Sequence, residues 1–151
     1  MLKRAIIPLG ILVLLTACAS KGQSSPVVIQ GTTVPPVPTL DAALVEDGKI
    51  LYDAYCADCH REALDGQPDW KIRKEDGSFP APPHDSSGHT WHHPDEVILA
   101  ITAQGGDQSL GSKMPAFGNT LSEDQMVAVL TYIKSYWGDE ERSFQWWITA
   151  R

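Results

Sequence analysis

The chain has 151 residues, with 12 Lys+Arg against 19 Asp+Glu and a formal net charge of −7. That length holds one modest domain. An acidic balance argues against nucleic acid or anionic lipid as the partner and favours docking to a protein with a basic face.

The chain opens with MLKR, continues through the uncharged run AIIPLGILVLL and reaches TACAS. A positive start, a short apolar run and small residues at a processing site form an export signal. Ala5 to Leu15 is too short to span a bilayer, and Pro8 and Gly10 interrupt it. Leu15-Thr16-Ala17-Cys18 resembles the bacterial lipobox, which makes residues 1–17 a signal peptide and Cys18 an acylated mature N-terminus. Ala17-Cys18-Ala19 also fits ordinary cleavage, which would discard Cys18 and release a soluble periplasmic protein. The lipobox is preferred because a free thiol is unwelcome in an oxidising compartment, and several acyl chains hold a protein stably where one does not. Removing Lys3 and Arg4 leaves 10 Lys+Arg against 19 Asp+Glu, or −9.

Residues 18–40 are rich in Ser, Gly, Thr and Pro and have no helical or strand period, the composition of a semi-extended tether. The folded domain is expected over 41–137, with a tail over 138–151. Three helices are predicted. The first runs Asp41 to Tyr55, with Leu44, Val45, Leu51, Tyr52 and Tyr55 as its apolar positions. The second runs Pro94 to Gln104, with Asp95 and Glu96 at its positive end and Gly105 at its stop. The third runs Ser122 to about Trp137, where Ser122 and Gln125 have capping-box spacing and Met126, Val129, Leu130, Ile133 and Trp137 mark one face. Three helices and so much loop make a thin core, so a large apolar group is expected to fill it.

The stretch 56-CADCH-60 implies that group. Cys-x-x-Cys-His is the attachment signature of c-type haem, in which two thiols add to the vinyls and the histidine binds the iron. A thioredoxin-type redox motif would expect a βαβ pattern, which is not visible, and would leave His60 unexplained. A zinc knuckle would need a second ligand pair.

On these residues the chain resembles the class I monohaem cytochromes c, over about residues 42–137. Gly48, Tyr52 and Cys56 reproduce the family's Gly-x3-aromatic-x3-Cys spacing. The resemblance implies a glycine that lets the last helix cross closely, with Val129 and Tyr132 as the contacts. It also implies an all-α fold of about three main helices around one covalent haem. The segment from Lys113 to Trp137 resembles the family's distal-ligand loop and C-terminal helix. Met114, in the loop 111-GSKMPAFG-118, matches the axial methionine, whereas Met126 reads as core filler. His60/Met114 ligation fills both axial sites and suits electron transfer. Pro82 is the candidate, and Pro83 the alternative, for the carbonyl that holds the axial histidine's other nitrogen.

Four of the five histidines fall in 84-HDSSGHTWHH-93. Three readings stand for His84, His89, His92 and His93: contacts to haem propionates shared with Trp91, plain exposure, or a metal role, either a separate copper or zinc site or a histidine in place of Met114 on the iron. The spacing fits no single-helix metal motif, and the adjacent His92 and His93 would point apart. Phe144, Trp146 and Trp147 are expected either to pack back on the domain or to form an apolar foot for a partner. No carboxylate pair, Ser/His/Asp set or phosphate loop appears, so neither an enzyme nor a small-molecule substrate is expected. The function expected is single-electron transfer between redox proteins at the membrane surface or in the periplasm. The alternatives are a haem subunit of a larger oxidase or dehydrogenase complex, a haem with an open sixth site, and a haem protein with copper on its histidine loop.

Overall fold

The computed structural model describes residues 28–29 and 31–151. The export signal and Cys18 lie outside the described residues. Two short strands, β1 (Val28–Ile29) and β2 (Thr32–Thr33), pair antiparallel with Val28 opposite Thr33. Five helices follow among the described residues: α1 (Ala42–Tyr55), α2 (Ala57–His60), α3 (Asp95–Gln104), α4 (Glu123–Lys134) and α5 (Asp139–Thr149). The fold is all-α, as expected for a small cytochrome c.

The Asp41 carboxylate caps α1 by accepting from the Ala43 and Leu44 backbone N–H groups. Such a cap supplies about 1 kcal/mol by satisfying otherwise orphan donors. At the start of α4 the Ser122 hydroxyl accepts from the Gln125 N–H, and the Gln125 side chain accepts from the Ser122 N–H. This is the capping box that the spacing predicts. α4 stops at Lys134, three residues short of the expected end. Ser135 donates its hydroxyl to the Tyr132 carbonyl, and the chain turns there. Trp137 is nonetheless buried, beyond the helix.

α1 and α4 cross where Gly48 lies against Ala128 and Tyr132. A Cβ on Gly48 would overlap the Ala128 carbonyl oxygen and come within 2.9 Å of the Tyr132 Cβ. One turn along α1, the fully buried Tyr52 ring meets Tyr132 edge-on, with ring centres 5.3 Å apart. Leu64, Ile98, Val129, Leu130, Ile133 and Trp137 complete the core, and Cys56, Ala57, Trp91 and Leu99 pack against its margin.

The last helix, α5, is absent from the sequence reading, which left 138–151 as a tail. Asp139, Glu140 and Glu141 occupy its first turn, at the positive end of the helix dipole. It is tied to the domain by polar contacts as well as apolar ones. Gln145, only 2% exposed, donates to the Asp95 carboxylate (2.5 Å), and Lys134 reaches the same carboxylate from α4 at 2.7 Å. On the other side, Arg142 donates to the Pro38 carbonyl at 2.6 Å, and Val34 is buried. Residues 34–40 therefore run against the domain.

Candidate functional site

The Cys-x-x-Cys-His stretch forms at the end of α1. Cys56 caps α1, donating its N–H to the Tyr52 carbonyl, and α2 then carries Cys59 and His60 through one tight turn. Neither thiol is in a disulfide; Cys56 is half-buried and Cys59 exposed. Burial, with a smaller effect from Cys59, pushes the Cys56 thiol up to about 11. A redox Cys-x-x-Cys needs a thiol held below its ordinary value, so the electrostatics here run against a thioredoxin-type role.

His60 is buried, and its Nδ1 lies 2.8 Å from the Pro82 carbonyl oxygen, an acceptor for the ring N–H. That bond assigns the proton to Nδ1 and leaves Nε2 with a free lone pair. Burial lowers the His60 pKa, and the Pro82 bond opposes the shift only in part. The downward shift favours the neutral ring, the form that ligates metal.

The loop from 61 to 94 is shaped to bring Pro82 there. Gly66 adopts a left-handed φ of 66° and donates its N–H to the His60 carbonyl; a Cβ on it would overlap the backbone of Pro82 and Pro83. Leu64, fully buried, is also left-handed at φ 61°, and its carbonyl accepts from the backbone N–H groups of His84 (2.7 Å) and Asp85 (3.1 Å). A leucine in that conformation is strained and persists only where its surroundings hold it.

His84 is the histidine that joins the site. Its ring stacks on His60 with centres 3.8 Å apart and planes 18° apart, so it lies beside His60, not across from it. Its Nδ1 is 3.3 Å from the Tyr52 hydroxyl, and its carbonyl accepts from the Trp137 indole at 2.8 Å. Burial first, then the neighbouring His60 and His89, holds its pKa well below the ordinary value.

The remaining loop residues point elsewhere. The Trp91 indole N–H donates to the Ser86 carbonyl at 3.3 Å, and the ring packs on His92 and Phe144. His89 stacks on Trp70. Among the described residues, no group of three His, Cys, Asp or Glu side chains is placed to hold a metal ion.

Met114 is half-buried on a separate loop clipped to the end of α3. Its carbonyl accepts from the Gly106 N–H and its N–H donates to the Ser112 hydroxyl, while Phe117 and Gly118 donate to the Thr102 and Ala103 carbonyls. Gly105, with φ 84°, has no room for a side chain beside the Met114 carbonyl. Met126 is buried on α4. An open cavity of about 610 Å³ adjoins Met114, lined by Arg73, Ser78, Gln108, Ser112 and Lys113 among others. Its lining includes neither cysteine nor His60.

Residues 43–133 match the family described as cytochrome C oxidase, cbb3-type, subunit III. The chain belongs to this family. It is a c-type cytochrome domain, and with that membership come covalently bound haem c and an electron-transfer role. Comparison with curated proteins and with solved structures finds no match. No helix among the described residues is long and apolar enough to cross a membrane.

What the sequence does not announce is the second layer of the cytochrome's site. Tyr52, Leu64 and Trp137 each touch His84 from distant parts of the chain, and a spacing motif cannot encode a contact across 20 to 53 residues.

Proposed function

We propose that this cytochrome carries one haem and passes single electrons between redox proteins on the outer side of a bacterial membrane, held there through an acylated Cys18. The buried His60 carries the reading: its Nδ1 is engaged by Pro82, which leaves Nε2 available directly after two free thiols. Cys56 and Cys59 supply the thioether bonds, His60 one axial ligand and Met114 the other. The haem, when bound, supplies the one-electron couple of its iron.

The chain does the rest. The Pro82 carbonyl keeps the proton on Nδ1 and so keeps Nε2 a base. The α3 clip holds the Met114 loop at a fixed place relative to the core, so ligation costs little ordering. The core cluster of Tyr52, Leu64 and Val129 excludes water from the side nearest Cys56. Cys59, exposed, marks the open margin where a partner can approach.

The test is covalent attachment. Protein made in a host that matures c-type cytochromes is run on a denaturing gel and stained for haem peroxidase activity. The wild type is expected to keep its stain, and the Cys56→Ser, Cys59→Ser double variant to lose it. A wild type that releases its haem on denaturation would contradict the reading.

The family's description favours a second reading, a fixed subunit of an oxidase complex. Native electrophoresis of gently solubilised membranes separates the two. A free carrier migrates alone, and a subunit comigrates with oxygen-reducing activity.

A further inference from the structure

We infer that His84 is a positioning residue for the axial histidine, setting the plane of the His60 ring; this rests on reading His60 as the iron's proximal ligand. An imidazole held by iron at Nε2 and by a carbonyl at Nδ1 is restrained at two points, and because the two bonds are not collinear the carbonyl already limits rotation of the ring. A small rocking within that hydrogen bond's tolerance is left. A flat neighbour in face contact narrows it further. His84 is such a neighbour, 3.8 Å from His60 and within 18° of parallel.

A stop must itself be fixed, and His84 is held from three directions. Its backbone N–H donates to the Leu64 carbonyl at 2.7 Å, and its carbonyl accepts from the Trp137 indole at 2.8 Å. Its ring Nδ1 meets the hydroxyl of Tyr52, which is fully buried where α1 crosses α4. Burial pushes the Tyr52 phenol far above its ordinary range, so the hydroxyl stays protonated beside the ring. Pro82 thus sets the protonation of His60 and limits its rotation, and His84 narrows that rotation, with the orientation referred to the rigid crossing of two helices.

The test uses ferric holoprotein and separates ring from hydrogen bond. His84→Gln keeps an acceptor for Tyr52 but removes the flat ring. His84→Phe keeps the ring and leaves the Tyr52 hydroxyl unpartnered. The plane of an axial imidazole governs how unpaired spin is distributed over the haem, which the proton NMR shifts of the haem methyl groups report. The expected result is that His84→Gln redistributes those methyl shifts and moves the reduction potential, whereas His84→Phe keeps the wild-type methyl pattern even where it melts at lower temperature. Wild-type shifts in His84→Gln, or equal displacement in both variants, would overturn the inference while leaving His60 as ligand. A wild type without a histidine-ligated low-spin iron would overturn the parent reading and this one with it.

Discussion

Gly48 faces the Ala128 carbonyl so closely that no side chain fits between them. Gly48→Ala is expected to force α1 and α4 apart and destabilise the holoprotein by about 1–3 kcal/mol, the usual cost of overpacking. Guanidinium unfolding should show a lower midpoint with the slope unchanged. The position was legible because Gly48, Tyr52 and Cys56 match the Gly-x3-aromatic-x3-Cys spacing of the family the chain resembles, in which the glycine marks a close helix crossing. Its partner was only half legible. Tyr132 is the contact the family resemblance implies, but the Ala128 carbonyl is backbone, and no side-chain pattern reveals where a backbone group will lie. His84 shows the same limit. Its density with three other histidines suggested propionates or a metal, yet its partners, His60, Tyr52 and Trp137, are drawn together only by the tertiary fold.

The loop before Met114 is organised by one carboxylate. Asp107 accepts from the Ser109 N–H (2.8 Å) and hydroxyl (2.7 Å), its carbonyl accepts from the Ser112 N–H, and the Ser112 hydroxyl holds the Met114 N–H. The Ser109 bonds lower the Asp107 pKa below its ordinary 3.8. A depressed carboxylate gives stability that is present above about 3.8 and is lost as pH falls through the lower, folded value. Methionine ligation in the wild type should therefore weaken below that pH. In Asp107→Ala the methionine band should be weaker already at neutral pH, and the acid step that Asp107 contributes should be absent from a titration of the ferric spectrum. At the start of α3, Gln145 and Lys134 share the Asp95 carboxylate. Gln145→Ala leaves part of a buried network unsatisfied and should cost about 1–3 kcal/mol. A double-mutant cycle with Asp95→Ala should give a clearly non-additive result. The helix that carries Gln145 was missed because its most buried position is polar and its aromatic residues suit a tail or an apolar foot equally well. The signal was present: three acidic residues after Gly138, then Phe144, Trp147 and Ile148 at helical spacing.

At the scale of the whole molecule, the acidic balance, −7 in full and −9 once residues 1–17 are removed, predicts how the cytochrome meets its partner. Electron exchange with a basic redox protein should slow as ionic strength rises, and exchange with an acidic one should not. Stopped-flow rate constants across a salt series measure this directly. The architecture was legible as a thin three-helix core waiting for a large apolar group, since helix periodicity and Cys-x-x-Cys-His are local signals. The Gly66 and Leu64 turns that carry Pro82 to His60 were not, because left-handed φ at a leucine is imposed by its surroundings. The central claim is a covalent haem held by His60 and Met114, and the absorption spectrum of purified holoprotein tests it most directly. A low-spin spectrum is expected in both redox states, with a weak ferric methionine-to-iron band toward the red that disappears in Met114→Ala and persists in Met126→Leu. A ferric spectrum without that band, or one unchanged by Met114→Ala, would contradict that claim.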